Sequence, residues 1–322
     1  MSDARGMTLF SALLESPIDE AVVDDVATFW PRYLAIMART SRTFDRAVLS
    51  GLAADRLAWA FAGGYRSALA RLVPDLREDA MAALAVTEAA GNTPRAIATR
   101  LTHDGARLVL EGDKTWTTLG PSATELLVAA RVDPAGSTKP ELRVVRVAAD
   151  AAGVTITPMK EMPFVPELPH ASVSLRGVIV DEAAVLLGDG YDHYVKPFRT
   201  VEDMHVIGAA LGHVVRELRR RLSSAGDEAA THAAIERTLA AIAALSSLAD
   251  APALSASTHV ALAGALAIGK EAVLAYDALV ASATDPVAER FRRDRTLLGV
   301  AGSARAKRLE KAWAALGESS RT

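Results

Sequence analysis

The chain has 322 residues, is 50% hydrophobic and carries a formal net charge of −3. A chain of this length can bury a large core and hold two or three structural units. The mild acidity, with no long run of Lys or Arg, argues against a nucleic-acid protein. The absence of cysteine excludes thiolate metal sites, disulfides and Cys nucleophiles.

The opening stretch, "MSDARGMTLFSALLESPIDE", mixes acids with apolar residues at helical spacing. It has no long apolar core and no small-residue cleavage pattern, so no signal peptide is expected. No stretch reads as about 18 uncharged apolar residues, so no membrane span is expected and the chain is read as soluble and cytoplasmic. Residues 1–80 form the first expected domain. "VVDDVATFWPRYLAIMART" and "TFDRAVLSGLAADRLAWAFAGGYRSALARLV" place apolar residues at helical spacing, with Thr43 or Asp45 as a cap for the second.

Residues 81–190 change character. "TRLTHDGARLVLEGDKTWTTL" alternates like a strand and is broken at Asp-Gly and Glu-Gly-Asp, which read as turns. "ELLVAARVD", "ELRVVRVAAD", "GVTITPMK" and "ASVSLRGVIV" follow, separated by Pro, Gly and Asp. Short strands at regular spacing predict an antiparallel β-barrel or sandwich. Residues 191–322 are helical again, with Pro286 at a helix start, and predict an up-down helix bundle. The expected class is α+β, in the order helical domain, β domain, helix bundle.

Four motifs in chain order resemble the acyl-CoA dehydrogenase family of flavoproteins. "LAVTEAAGNT", residues 84–93, is similar to its strand and Thr-Glu loop. "LEGDKTWTTLG" is similar to its Lys-x-Trp-Ile-Thr segment. "VSLRGVIVDEAAVLLGDGYDHY" is similar to the passage leading into the bundle. "ERFRRDRTLLGVAGSARAKR" is similar to its last helix pair.

A flavin's flat isoalloxazine needs an aromatic plate and polar partners along its pyrimidine edge and at N5. Two apart on a strand, Trp116 and Thr118 share a face. The resemblance implies cofactor contacts from Trp116, Thr117 and Thr118, and from the backbone of Val86 and Thr87. A core Trp in an ordinary strand is the alternative. Asn92, in the Gly91-Asn92-Thr93 loop, is placed either toward the ligand or in a plain turn.

The implied reaction is α,β-dehydrogenation of an acyl thioester, with hydride transfer to flavin N5 and a carboxylate as base. At the place where most members carry that Glu stands Ala301. A minority, including isovaleryl-CoA dehydrogenases, carries it on the first bundle helix, ten residues before a Gly. Glu202, ten before Gly212, matches that arrangement and is the candidate base; a helix-start Glu facing solvent is the alternative. His205, one turn from Glu202, tunes it, or acts in a monooxygenase-like variant, or is an ordinary satisfied or exposed histidine. Of the seven His, none forms a metal-ligand cluster.

Three departures stand out. The link "LRRRLSSAGDEAATHAAIERT" lacks the Arg, Phe-Gly and Gln that hold a partner's FAD. "VASATDPVAERF" has no Gly where the family has Gly-Gly near the adenosine. Asp203 replaces the Arg that usually follows the helix-borne Glu. FAD held weakly, FMN, or a cofactor-poor relative kept for binding or assembly all remain open. Arg216, Arg219, Arg220 and Arg221 either meet a phosphate or form a solvated helix face. Implied partners are an acyl thioester of CoA or a carrier protein, a flavoprotein electron acceptor and a second copy in a homodimer.

Overall fold

The structure, a computed structural model, describes residues 8–105, 107–132, 141–222 and 227–319. The chain divides into two compact units. One comprises residues 1–71, 163–165 and 200–322, and the other residues 72–162 and 166–199.

The first unit is helical. Its elements are α1 (Leu9–Glu15), α2 (Val26–Met37), α3 (Thr43–Ala53), α4 (Leu57–Leu72) up to Arg71, α5 (Lys196–Leu222) from Thr200 on, α6 (Glu228–Leu248), α7 (Ala256–Leu279), α8 (Pro286–Asp294) and α9 (Gly302–Ser319). Side-chain caps explain several starts. Asp25, Asp227, Ser255 and Asp285 each accept a backbone N–H in the first turn of α2, α6, α7 and α8, and Pro286 follows its cap. α3 departs from expectation, because Arg42 is its N-cap and makes no side-chain cap bond. Thr43 instead bonds His205, and Asp45 pairs with Arg42 at 3.1 Å.

Phe44, Val48, Met204, Leu211 and Val215 share one apolar cluster with Ile242 and Leu245 of α6. The contact between α3 and α5 is set by glycines. A Cβ on Gly51 would fall 1.8 Å from the Ala209 carbonyl oxygen, and one on Gly212 2.1 Å from that of Val48. By length and composition α7 is apolar enough to cross a bilayer, with a window of mean hydropathy 1.3. It packs along α6 and α9 as a bundle helix.

The second unit is a curled seven-stranded sheet of β1 (Ala82–Ala85), β2 (Arg100–Asp104), β3 (Arg107–Thr118), β4 (Glu125–Val132), β5 (Glu141–Ala148), β6 (Val154–Pro158) and β7 (His170–Val180). The order is β1-β4-β2-β3-β7-β6, with β5 also on β4. Most pairs are antiparallel, but β1 runs parallel to β4 from Ala82↔Glu125 to Ala85↔Val128. Arg100 of β2 then meets Arg131 of β4, also in parallel. The inward alternation of Leu108, Leu110, Val173 and Leu175 builds the core of this unit with Leu126 and Val128.

Asp104-Gly105 is a hairpin turn, as its dipeptide suggests. Glu111-Gly112-Asp113 is not. It lies inside the 12-residue β3, at a register shift against β7, and Gly112 takes φ +153. Two steps on β3 there oppose three on β7, so the extra residue lies on β7, and a Cβ on Gly112 would meet Thr99 Oγ1 at 2.4 Å; the strand runs on where a turn was expected.

Candidate functional site

A second bulge shapes the end of β3. Lys114 pairs with Val173 and Thr117 with Ala171, so three steps on β3 oppose two on β7. Trp116 absorbs the extra step with φ +55, a left-handed conformation uncommon for a bulky residue. The bulge breaks simple alternation. Lys114 and Thr117, three apart, are both buried, whereas Trp116 is 49% exposed and Thr118 half-buried. Trp116 and Thr118 therefore flank the buried Thr117 on the more open side. Thr117, expected alongside them, is turned into the protein, and its hydroxyl has no partner.

The Trp116 ring meets His170 edge-on at 6.0 Å, and its backbone N–H points to Met159 Sδ at 3.4 Å. The His170 Nδ1–H donates to the Leu168 carbonyl, and burial lowers the pKa of the ring.

Val86 and Thr87 continue from β1 and lie beside β3. The Thr115 N–H donates to the Thr87 carbonyl at 2.8 Å, and Lys114 Nζ reaches the Val86 carbonyl at 3.4 Å. Among the described residues, neither the Thr87 nor the Thr118 hydroxyl has a hydrogen-bond partner. Glu88 and Gly91 then exchange both backbone bonds at 2.9 Å, closing a tight turn with Gly91 at φ +114. The Gly91 N–H is thus used within the turn. Asn92 is exposed, and its Oδ1 accepts from Arg199 at 2.9 Å.

Sequence reasoning missed the group that joins these two strands. Lys114 Nζ lies 2.6 Å from Glu88 Oε1, with both side chains buried. The Glu88 carboxylate also accepts from the Ala98 N–H at 2.7 Å, the Thr99 N–H at 3.0 Å and Thr99 Oγ1 at 2.7 Å. Burial acts to raise the Glu88 pKa, but the Lys114 contact and the bonds from Ala98 and Thr99 outweigh it and hold the carboxyl below its ordinary range. Burial lowers Lys114 to about 8, with Glu88 opposing. The sequence signal was a Lys on the inward side of a strand, a position that demands a buried acid.

In the helical unit, Glu202 is half-buried and sits in the second turn of α5, which starts at Lys196. It is therefore not a helix-start Glu. Its neighbour Asp203 is buried and accepts from Arg305 at 2.8 and 3.0 Å and from Arg308. The charge reversal seen in the sequence is an ion-pair anchor between α5 and α9. His205 is fully buried. Its Nδ1–H donates to the Val201 carbonyl at 2.8 Å and Nε2 accepts from Thr43 Oγ1 at 3.0 Å. Burial lowers its pKa to about 4, so it is a neutral, satisfied histidine.

The arginine run is structural too. Arg216 and Arg219 donate to carbonyls of Leu52, Asp19, Leu13 and Ser16, and Arg220 pairs with Glu217 and Glu20. Ala301 lies in the turn before α9. A cavity of about 790 Å³ opens on the Ile207 and Leu211 side of α5, against α7 and α9. Ile207 is roughly 140° around the helix from Glu202, which does not line this cavity.

Residues 83–178 match the acyl-CoA dehydrogenase middle domain. That segment of the chain, and not the whole of it, matches the acyl-CoA dehydrogenase middle-domain family. The chain is 33% identical over 142 residues to benzylmalonyl-CoA dehydrogenase of Aromatoleum aromaticum; that match covers 43% of this chain and 36% of the relative, about a third of its length. Among solved structures, the fold is similar to FkbI, from the biosynthesis of the methoxymalonyl extender unit of a polyketide. The TM-score there is 0.66 at 20% identity, over 84% of this chain and 83% of that one. It is also similar to PigA with FAD and proline, with a TM-score of 0.68 at 10% identity over 91% and 90% of the two chains.

The donor set at the end of β3 can be tested against a flavin ring. An aromatic face is half open beside two unpartnered hydroxyls, on backbone locked by a buried ion pair. Those groups suit an isoalloxazine, which asks for a plate and a few fixed polar partners. Arg216 and Arg219, by contrast, are already committed to carbonyls of their own chain and do not fit a phosphate role.

Proposed function

We propose that the chain is a flavin-dependent dehydrogenase of acyl thioesters. The observation that carries this reading is the bulged end of β3, where Trp116 is half exposed at φ +55 beside the unpartnered Thr118 and Thr87 hydroxyls. Strained backbone clusters at ligand sites, where surrounding structure holds it in place. The family match and the CoA-thioester dehydrogenase among the relatives support the substrate class. The FAD-bound neighbour supports the cofactor.

In this reading Trp116 supplies the plate, Thr118 the partner near N5, and the backbone after β1 borders the pyrimidine edge. When bound, the flavin supplies a two-electron acceptor. Glu202, half-buried in the second turn of α5, removes the proton from the carbon α to the thioester carbonyl. A flavoprotein is the proposed electron acceptor. A fold similar to that of an electron transferring flavoprotein of Acidaminococcus fermentans is consistent with this flavin setting.

A second reading, a cofactor-poor relative that binds or assembles, draws on the arginines already used within the chain. Flavin uptake separates the two. Protein loaded with FAD should bleach under a suitable acyl-CoA, and Glu202→Gln should keep the flavin and lose the bleaching. A Glu202→Gln variant that bleaches like wild type removes Glu202 from the role.

A further inference from the structure

Every backbone carbonyl from Val86 to Glu88 is committed inside the β unit. Val86 O accepts from Lys114 Nζ, Thr87 O from the Thr115 N–H, and Glu88 O from the Gly91 N–H. Two of these bonds come from adjacent residues of β3, just before Trp116. The ammonium that makes one of them is oriented by Glu88, and Glu88 is itself fixed by three donors from Ala98 and Thr99.

We propose that Lys114 and Glu88 are positioning residues for the flavin: their buried pair clamps the Val86–Thr87 backbone against β3 and so sets the spacing between the two segments that flank the ring. The proposal rests on the flavin reading above. The physical reason for the pair is geometric. A bulged strand end has lost its regular ladder, so its register must be fixed by side chains. An apolar contact would leave the Val86 carbonyl without its donor and the approach of the two segments loosely defined. A buried ion pair is weak evidence for stability but well suited to fixing register.

The pair also explains why Lys and Trp stand two apart in "KTWTT". Lys114 anchors below the sheet surface, and Trp116 emerges after the bulge. Thr99 belongs to the same device, because its amide and its hydroxyl both hold Glu88 Oε1.

The test compares wild type with the double variant Glu88→Gln/Lys114→Met, which removes both charges and leaves neither buried alone. Thr99→Val serves as a milder second variant should the double one not fold. Two quantities are read: hydrogen exchange of the Thr115 amide in apoprotein, and FAD affinity by quenching of flavin fluorescence. The expected result is Thr115 exchange accelerated at least tenfold, with amides of the β4–β5 pair unchanged, and FAD binding at least tenfold weaker. For Thr99→Val a two- to threefold loss of affinity is expected. A purely structural role would speed exchange throughout the sheet together. Uniform acceleration, or unchanged affinity in a folded variant of a flavin-binding wild type, overturns the positioning role alone. Wild-type protein that takes up no flavin overturns the reading of the site and this proposal with it.

Discussion

Lys114 Nζ and Glu88 Oε1 meet at 2.6 Å beneath the stretch of β3 that bulges at Trp116, and this pair joins two segments that sequence reading treats as separate motifs. Removing one partner leaves the other buried and charged. Lys114→Met is therefore expected to lower unfolding free energy by about 3–5 kcal/mol. Glu88→Gln/Lys114→Met should cost far less, because neither charge is then stranded. Urea unfolding of the single and double variants measures both. Equal losses would show that the pair is not coupled.

Trp116 should trade stability against binding. Its φ of +55 costs a bulky residue energy that glycine does not incur. Trp116→Gly is expected to leave the apoprotein as stable as wild type or more stable, by up to about 1 kcal/mol. The same change removes the aromatic plate and should weaken flavin binding at least tenfold. Thermal unfolding and flavin titration read the two signs; a variant that loses both stability and affinity would make Trp116 a packing residue.

Glu202 and Asp203 are neighbours with opposite expected phenotypes. Glu202→Gln should alter chemistry and leave stability within about 0.5 kcal/mol. Asp203→Asn releases Arg305 and Arg308 from a buried carboxylate and should destabilise the helical unit by about 2–4 kcal/mol. Denaturation curves beside flavin-bleaching assays separate them. A large stability loss in Glu202→Gln would recast it as structural.

His205 gives a pH dependence with a definite sign. Its ordinary value of 6.5 applies to the unfolded chain, and burial holds it at about 4 in the fold. Below 6.5 the unfolded state takes up the proton first, so stability falls as pH drops from 6.5 toward 4, by up to about 3 kcal/mol from this group. Glu88 adds a loss in the same direction further down. Its folded pKa lies below 4.5, so its contribution is present above that value and disappears as the carboxyl protonates. His205→Gln should flatten the upper part of this acid limb. Parallel profiles for wild type and variant would exclude His205 as its source.

Much of the architecture was legible because it follows from period and punctuation. Helical spacing, Asp and Ser caps and Pro286 marked the helices, and alternation marked the strands. What was not legible depended on tertiary partners. Glu-Gly-Asp looks like a turn, but β3 runs straight through it, with Thr99 packed where a Cβ of Gly112 would sit. Parallel pairing of β1 with β4 is a long-range choice that no local signal encodes. Thr43 seemed a cap but is the partner of a histidine 162 residues away. At the site, spacing placed Trp116 and Thr118 together, yet it did not distinguish Thr117, whose inward turn follows from the bulge. Asp203 read as a charge reversal and the arginine run as a phosphate contact or a solvated face, because charge on a helix does not reveal its partner.

In the proposed function the bulged end of β3 holds a flavin ring. Titration of purified protein with FAD and with FMN, followed by flavin fluorescence in wild type and Trp116→Ala, tests it most directly. Saturable quenching in wild type and at least tenfold weaker binding in the variant are expected. No uptake of either flavin by wild type, or identical affinity in the two proteins, would contradict it.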